Sequence, residues 1–156
     1  MIVYLVRHGE AVAASENPKR PLSQAGREAV EQVARLARER QLEVSAIYHS
    51  GILRAQETAE ILAKHLLPPS GAKAISGLLP DDDPMGGKAE LEAAADPVML
   101  VGHLPYMGRL AALLVRGDME APVIDFQPAA MVCCSRLAAQ WKIEWHLAPG
   151  TAMTRS

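Results

Sequence analysis

Short apolar runs alternate with longer amphipathic stretches along most of this 156-residue chain. The runs at 2–6 and 98–101 are apolar on both parities, as strands are when helices cover both faces of a sheet. Between them, 23–40 and 50–66 carry apolar residues at helical spacing. This alternation predicts an α/β fold of three αβα layers with a mainly parallel central sheet.

The remaining segments extend this pattern. Ser23 and Ser50 are candidate caps for the helices over 23–40 and 50–66. At the C-terminal end, four apolar residues alternate with Lys142, Glu144 and His146, which predicts a hairpin strand with a polar side: Trp141, Ile143, Trp145 and Leu147. Further strands are predicted over 44–48, 72–75 and 131–137, and further helices over 88–94 and 106–115.

Bulk properties exclude several classes of protein. The length fits one domain over 1–150, followed by a flexible tail at 151–156. A formal net charge of -2 provides no basic surface for nucleic acid, and no apolar run is long enough for a membrane span or signal peptide. The adjacent cysteines Cys133 and Cys134 form neither a disulfide framework nor a zinc motif. We therefore expect a cytoplasmic monomer without metal or cofactor.

Polar side chains follow three of the predicted strands. Arg7, His8 and Gly9 end the first, Arg54 follows the second in the first turn of a helix, and His103 follows the fourth. Ligands of open parallel sheets bind outside the carboxyl ends of the strands. Two arginines and two histidines gathered there would form a cationic pocket suited to a phosphate dianion.

Histidine can also accept a phosphoryl group as a nucleophile. Gly9 and Gly102 are expected to let the backbone approach the ligand closely. His49 and Arg109 lie near the same edge, but the other groups already supply every role that the site needs. Each motif alone is typical of an ordinary strand end, so it is their coincidence at three strand ends that predicts a site.

The ordered set of motifs resembles the histidine phosphatase (phosphoglycerate mutase-like) superfamily. Its signature "RHG" stands at residues 7–9, "RPLSQAG" is similar to the family's helix start, and "SGILRAQETAE" to the segment with its second arginine. "LVGHLPYMGRLAALLV" is similar to the segment with its second histidine. The short chain, "GHLP" and the closing "WKIEWHLAP" make it most similar to the SixA type of protein-phosphohistidine phosphatase.

The resemblance implies a role for each pocket residue. His8 would be the nucleophile and become phosphohistidine, while Arg7, Arg54 and His103 would bind the phosphoryl group and stabilise its charge. Two in-line displacements would follow, by His8 and then by water, without a metal. The two arginines would lower the pKa of His8 and keep it neutral.

The proton donor is less well defined. One branch of the superfamily carries an acid directly after the second histidine, where this chain has Leu104 and Pro105. A phosphoramidate P–N bond breaks more easily than an ester bond, so a missing acid favours phosphohistidine as the substrate. Four carboxylates are candidates for the acid, although a solvated loop or local pairing also accounts for them: Asp81, Asp82, Asp83 and Glu10.

The predicted function is removal of phosphoryl groups from phosphohistidine on a protein, such as a histidine phosphotransfer domain. Only the segments 11–22 and 76–87 could cover the pocket, so it is expected to be open to a protein surface. One alternative is a broad small-molecule phosphomonoesterase of the same fold, with a functional acid among the aspartates. Another is a phosphate-binding module that has lost turnover.

Overall fold

The computed structural model describes residues 1–150 and 154–155. Its centre is a seven-stranded sheet in the order β3-β2-β4-β1-β5-β6-β7. The strands are β1 (Ile2–Arg7), β2 (Ala46–His49), β3 (Ala72–Ala74), β4 (Val98–Gly102), β5 (Met131–Leu137), β6 (Gln140–Leu147) and β7 (Thr154–Arg155). The helices are α1 (Gln24–Glu39), α2 (Leu53–Leu66), α3 (Pro84–Ala93) and α4 (Tyr106–Arg116).

The parallel part of the sheet brings three strand ends to one level. Strands β3, β2, β4 and β1 are parallel, and β5 to β7 continue the sheet in antiparallel pairing. Arg7 pairs with Gly102, and His49 pairs with Val101. The segments that follow β1, β2 and β4 therefore leave the sheet side by side, as predicted from the sequence.

Helices cover both faces of the sheet and make the three layers predicted from the alternating pattern. Helices α1 and α2 pack on one face around Val33, Ala59 and Met99. Helices α3 and α4 pack on the other around Leu91 and Leu110. Because neither face is open to water, the central strands are apolar on both parities.

Helix α1 begins where its sequence signal places it. The Ser23 side chain accepts a hydrogen bond from the Gly26 N–H at 2.9 Å, and Arg40 ends the helix. Val30, Val33 and Ala37 are buried on the face that packs on the sheet. The predicted boundaries of this helix are confirmed.

Two helix starts differ from the prediction. Helix α3 begins at Pro84, with the Asp83 side chain accepting from the Met85 N–H, and not at residue 88. The Asp-Pro pair is a strong start signal, but the two glycines that follow it are typical of a loop. The residue at the N-cap of α2 is Ile52, whose N–H donates to the Ser50 hydroxyl, so Ser50 lies before the helix.

The closing hairpin has a β-bulge that the alternation does not predict. Cys133 pairs with Trp145, but the next residue, Cys134, pairs with Ile143. The shift turns Trp141 and Ile143 toward the α3 and α4 face, whereas Trp145 packs on the α1 and α2 face. One extra residue in β6 thus splits the apolar set between two cores.

The predicted tail at 151–156 lies outside the described residues except for Thr154–Arg155, which pairs with β6. In the part of the chain that the structure describes, none of the helices combines the length and apolar character needed to cross a bilayer.

A glycine in α1 holds the segment after β1 against the helix, and its replacement tests this packing. A Cβ at Gly26 would lie 2.0 Å from the Glu10 carbonyl oxygen, whereas a Cβ at Gly86 in α3 would meet nothing within 4 Å. We expect Gly26→Ala to lower the free energy of unfolding by about 1–3 kcal/mol. Gly86→Ala, the matched control, should raise it by about 0.5–1 kcal/mol. Urea unfolding measures both, and equal effects would contradict the packing described here.

Candidate active site

The end of β1 is fixed from both neighbouring strands. The Arg7 N–H donates to the Ala130 carbonyl at 3.1 Å, and the His8 N–H donates to the Gly102 carbonyl at 2.9 Å. The Arg7 side chain turns toward the segment before β5, where its Nη1 donates to the Phe126 carbonyl at 2.8 Å. These contacts place a guanidinium and an imidazole at the edge of the sheet.

The His8 ring has a defined tautomer. Its Nδ1 lies 2.7 Å from the Gly9 carbonyl oxygen. Because a carbonyl can only accept, Nδ1 carries the proton, and Nε2 of the neutral ring retains its lone pair. Burial lowers the pKa of His8 to about 4, and the positive charges of Arg54, Arg7 and Arg20 act in the same direction. The His8 ring is therefore neutral at neutral pH, and its Nε2 lone pair is available for reaction.

A buried threonine connects this loop with α2. Thr58 Oγ1 accepts from the Gly9 N–H at 3.1 Å and donates to the Arg54 carbonyl at 2.8 Å. Thr58 is completely buried, so water does not compete for these two hydrogen bonds. The Thr58 hydroxyl thus links Gly9, whose carbonyl orients His8, to the backbone of Arg54.

The second histidine lies against the first. The ring centroids of His8 and His103 are 5.0 Å apart. His103 Nε2 is 2.6 Å from the Ser50 hydroxyl, which has no other acceptor for its proton in the described part of the chain. Donation from the Ser50 hydroxyl to Nε2 corresponds to the tautomer that carries the ring proton on Nδ1. Burial, together with His8 and Arg54, lowers the pKa of His103 to about 3, so this ring is also neutral.

Three buried N–H groups of the site have no partner in the described protein: Arg7 Nε, Arg54 Nε and His103 Nδ1. Buried donors are normally paired, and donors that stay free at one site are typical of a ligand site. Two guanidinium groups and one imidazole N–H suit the oxygens of a phosphoryl group. The structure thus brings together all four residues predicted to form the pocket.

The glycines of the motifs have a packing role that the sequence does not predict. A Cβ at Gly9 would lie 2.7 Å from Val30 Cγ2, and one at Gly102 would lie 2.8 Å from Met107 Sδ. Both positions therefore face helices of the core. The glycines thus allow close packing of α1 and α4 on the sheet, and their expected role in the approach to a ligand stays a prediction.

The candidate acids lie around the site without joining it. Asp82 Oδ2 accepts from the Leu79 N–H and Asp83 caps α3, while Asp81 is exposed. Glu10 is exposed, and its side chain accepts from the Ser23 hydroxyl at 3.1 Å. No carboxylate is among the groups whose charge shifts the pKa of His8 or His103.

The other polar residues near this edge have partners of their own. His49 Nδ1 accepts from the Gly51 N–H, and Arg109 pairs with Glu120. His65 lies at the other end of α2 from Arg54, where its Nε2 is 2.6 Å from Glu31 and joins α2 to α1. Among the described residues, no group of three or more His, Cys, Asp or Glu side chains could hold a metal ion.

Sequence analysis missed three residues of the site: Ser50, Thr58 and Arg20. Ser50 was considered only as a helix cap, and Thr58 is part of the quoted "RAQETAE" but has no chemical signal of its own. Arg20 lies in a polar loop and is not a strand-end residue, yet its charge acts on both His8 and Arg54. All three depend on contacts between elements distant in the sequence.

The fold and the two arginines and two histidines at its edge define a class of protein. The family model of the histidine phosphatase superfamily (branch 1) matches residues 3–74. An uncharacterised protein of Picosynechococcus sp. is 36% identical over 125 residues, which cover 76% of this chain and 75% of that protein. The chain belongs to the histidine phosphatase superfamily.

Within this superfamily the chain is similar to SixA proteins. It is 28% identical to the phosphohistidine phosphatase SixA of Escherichia coli K12 over 154 residues, which cover 96% of this chain and 94% of the relative. A solved structure of the protein histidine phosphatase SixA complexed with tungstate superposes with a TM-score of 0.85 at 28% identity. That comparison covers 96% of this chain and 97% of the solved one.

The protonation state of His8 can be measured directly. With a pKa near 4, the ring should remain in the neutral Nδ1–H form at pH 6, whereas an ordinary histidine is mostly protonated there. Imidazole ¹⁵N spectra recorded from pH 5 to 8 show the tautomer, and the His8→Gln variant identifies the resonances by their loss. A His8 ring that titrates near its usual pKa would contradict the buried, cationic environment described above.

Proposed function

We propose that this chain is a protein-phosphohistidine phosphatase that acts through a phosphohistidine formed on His8. The observation that carries the proposal is a cluster of donors around His8 in which no carboxylate acts on either histidine. Every charge that acts on His8 is positive, and the donors around it fit phosphoryl oxygens. Similarity to SixA over nearly the whole chain supports the same activity.

The first step is attack by His8 on phosphorus. The Nε2 lone pair forms the new P–N bond while the P–N bond to the substrate imidazole breaks on the opposite side. The leaving imidazole takes up a proton from water, and so no protein carboxylic acid is needed. Nδ1 keeps its hydrogen bond to Gly9 throughout, which directs Nε2 at phosphorus.

The second step returns the enzyme to its starting state. A water molecule attacks the phosphorus of phosphohistidine, the bond to Nε2 breaks, and inorganic phosphate is released with the lone pair restored to His8. Arg7, Arg54 and the Nδ1–H of His103 donate to the equatorial oxygens in both steps. Because phosphoryl transfer depends mainly on positioning and electrostatic stabilisation, this small set is sufficient.

The rim of the site favours a protein substrate over a small ester. Only the segments 8–23, 50–52, 75–83 and 103–105 connect the relevant strands to their helices at this edge. Large apolar side chains are exposed on two of these connections or just beyond them: Leu79 at 45%, Met85 at 51% and Leu104 at 37%. An open rim with apolar groups suits the surface of a partner domain.

The small-molecule phosphomonoesterase remains as the alternative because of one cavity. An open cavity of about 550 Å³ lies beside Ser50 and is lined by Ile75, Leu79, Asp82 and Asp83. A leaving group could occupy it, and an ester would then need one of these carboxylates as its acid. The two hypotheses differ in which substrate is turned over.

The test compares two substrates: a phosphotransfer domain phosphorylated on histidine, and an alkyl ester, a sugar phosphate such as glucose 6-phosphate. We expect wild type to dephosphorylate the domain and to hydrolyse the ester slowly, since no acid assists the alkoxide-like leaving group. His8→Ala should lose at least about a thousandfold in kcat/KM, as is usual for removal of a nucleophile. His146→Ala, which changes a histidine of β6, is the matched control and should behave as wild type.

Each other result has a distinct meaning. Fast ester hydrolysis with an inert phosphoprotein would support the phosphomonoesterase. Phosphate binding without turnover of either substrate would indicate a non-catalytic module. Full turnover by His8→Ala would exclude His8 as the nucleophile.

A further inference from the structure

A serine that follows β2 is bonded to the second histidine of the site, which follows β4. Ser50 Oγ lies 2.6 Å from His103 Nε2, although the two residues are 53 positions apart in the chain. His49 and Val101 pair across the two parallel strands, so the segments after them leave the sheet together. The register of the strands therefore brings the hydroxyl and the ring into contact.

The Ser50 hydroxyl makes a second hydrogen bond, which limits its orientation. Its Oγ accepts from the Ile52 N–H at 3.2 Å, at the N-cap of α2. A serine hydroxyl supplies one proton and two acceptor sites. Because Ile52 uses an acceptor site, the proton is free to be donated. In the part of the chain that the structure describes, His103 Nε2 is the one acceptor within its reach.

The neutral His103 ring can carry its proton on either nitrogen, and the two tautomers leave different groups unpaired. With the proton on Nδ1, Nε2 accepts from Ser50, and the buried Nδ1–H is the group without a partner in the described protein. With the proton on Nε2, both the Ser50 proton and the buried Nδ1 lone pair have no partner there. Unpaired polar groups cost free energy, so the contacts favour the Nδ1–H tautomer.

The tautomer of His103 decides what this ring presents to an anion. A lone pair on Nδ1 would repel a phosphoryl oxygen, whereas an Nδ1–H would donate to it. The ring centroid lies 5.0 Å from that of His8. Burial, with His8 and Arg54, lowers the pKa of His103 to about 3, so the ring is neutral at pH 7. Its contribution to anion binding therefore depends on the position of its one ring proton.

We propose that Ser50 is a positioning residue, which keeps the proton of neutral His103 on Nδ1 so that this ring donates to the phosphoryl group. Ser50 acts through His103 and not by contact with the reacting atoms. The proposal rests on the phosphate site of the proposed function, but not on which substrate delivers the phosphoryl group.

The experiment follows the His103 ring in wild type, Ser50→Ala and Ser50→Thr. Imidazole ¹⁵N spectra at pH 7 distinguish a protonated from an unprotonated ring nitrogen, and His103→Gln identifies the resonances by their loss. We expect Nδ1 to be protonated in wild type and in Ser50→Thr, because threonine retains the hydroxyl. In Ser50→Ala the share of the Nε2–H tautomer should rise, because water in place of the hydroxyl can either donate to Nε2 or accept from it.

Binding of inorganic phosphate, measured by isothermal titration, should change together with the tautomer. Ser50→Ala should raise Kd roughly three- to tenfold, comparable to the net loss of one hydrogen bond. Ser50→Thr should bind as wild type does. Ser76→Ala is the matched control, since Ser76 lines the same cavity as Ser50 but is exposed and makes no hydrogen bond to His103. It should leave both Kd and the spectrum unchanged.

A Ser50 that only supports the start of α2 gives a different pattern. Ser50→Ala would then lose the bond to Ile52, lower the Tm and weaken phosphate binding through Arg54, but the His103 spectrum would stay unchanged. That result would overturn the proposal, as would a wild-type ring with its proton on Nε2. Wild type that shows the Nδ1–H form and binds phosphate but leaves phosphohistidine intact would refute the proposed function, and the role of Ser50 would stand.

Discussion

The site depends on the buried hydroxyl of Thr58. This group accepts from the Gly9 N–H and donates to the Arg54 carbonyl, so it joins the loop after β1 to the first turns of α2. The Gly9 carbonyl in turn fixes the tautomer of His8. His8 and the Arg54 guanidinium come from distant parts of the chain, and in the proposed reaction a misplacement of about 1 Å between such groups is costly. The Thr58 side chain thus fixes the position of α2 relative to the end of β1.

The second constraint is electrostatic. Positive groups surround His8, and burial lowers the pKa of both histidines of the site. In the free protein this arrangement is unfavourable, because no carboxylate acts on either histidine and three buried side-chain nitrogens of the site have no partner among the described residues, although Asp125 favours the charge of Arg7. The same features are favourable once a phosphoryl group is present, since its oxygens pair with the donors and its charge offsets the cations. In the proposed function, local destabilisation of the empty site and affinity for phosphate therefore have one physical origin.

Much of the architecture follows from local sequence signals. The two-sided apolar strands predict covered sheet faces, and Ser23 predicts the start of α1. The four pocket residues could be predicted because parallel strands bring their carboxyl ends to one edge. The bulge between Cys133 and Cys134 could not be, since it depends on how the two cores divide Trp141 and Trp145. Ser50, Thr58 and Arg20 were missed for a related reason: their roles come from partners in other elements.

The most direct test of the central claim is to look for the phosphoryl group on His8. The enzyme is mixed with a histidine-phosphorylated phosphotransfer domain, quenched in alkali within the first turnover, and analysed by intact mass and peptide mapping, because phosphohistidine is stable to base and labile to acid. Our account predicts that the mass of one phosphoryl group is added transiently to the peptide containing His8, and to no peptide of the His8→Ala variant. Release of phosphate with no modified enzyme at any time, or modification at another residue, would contradict it.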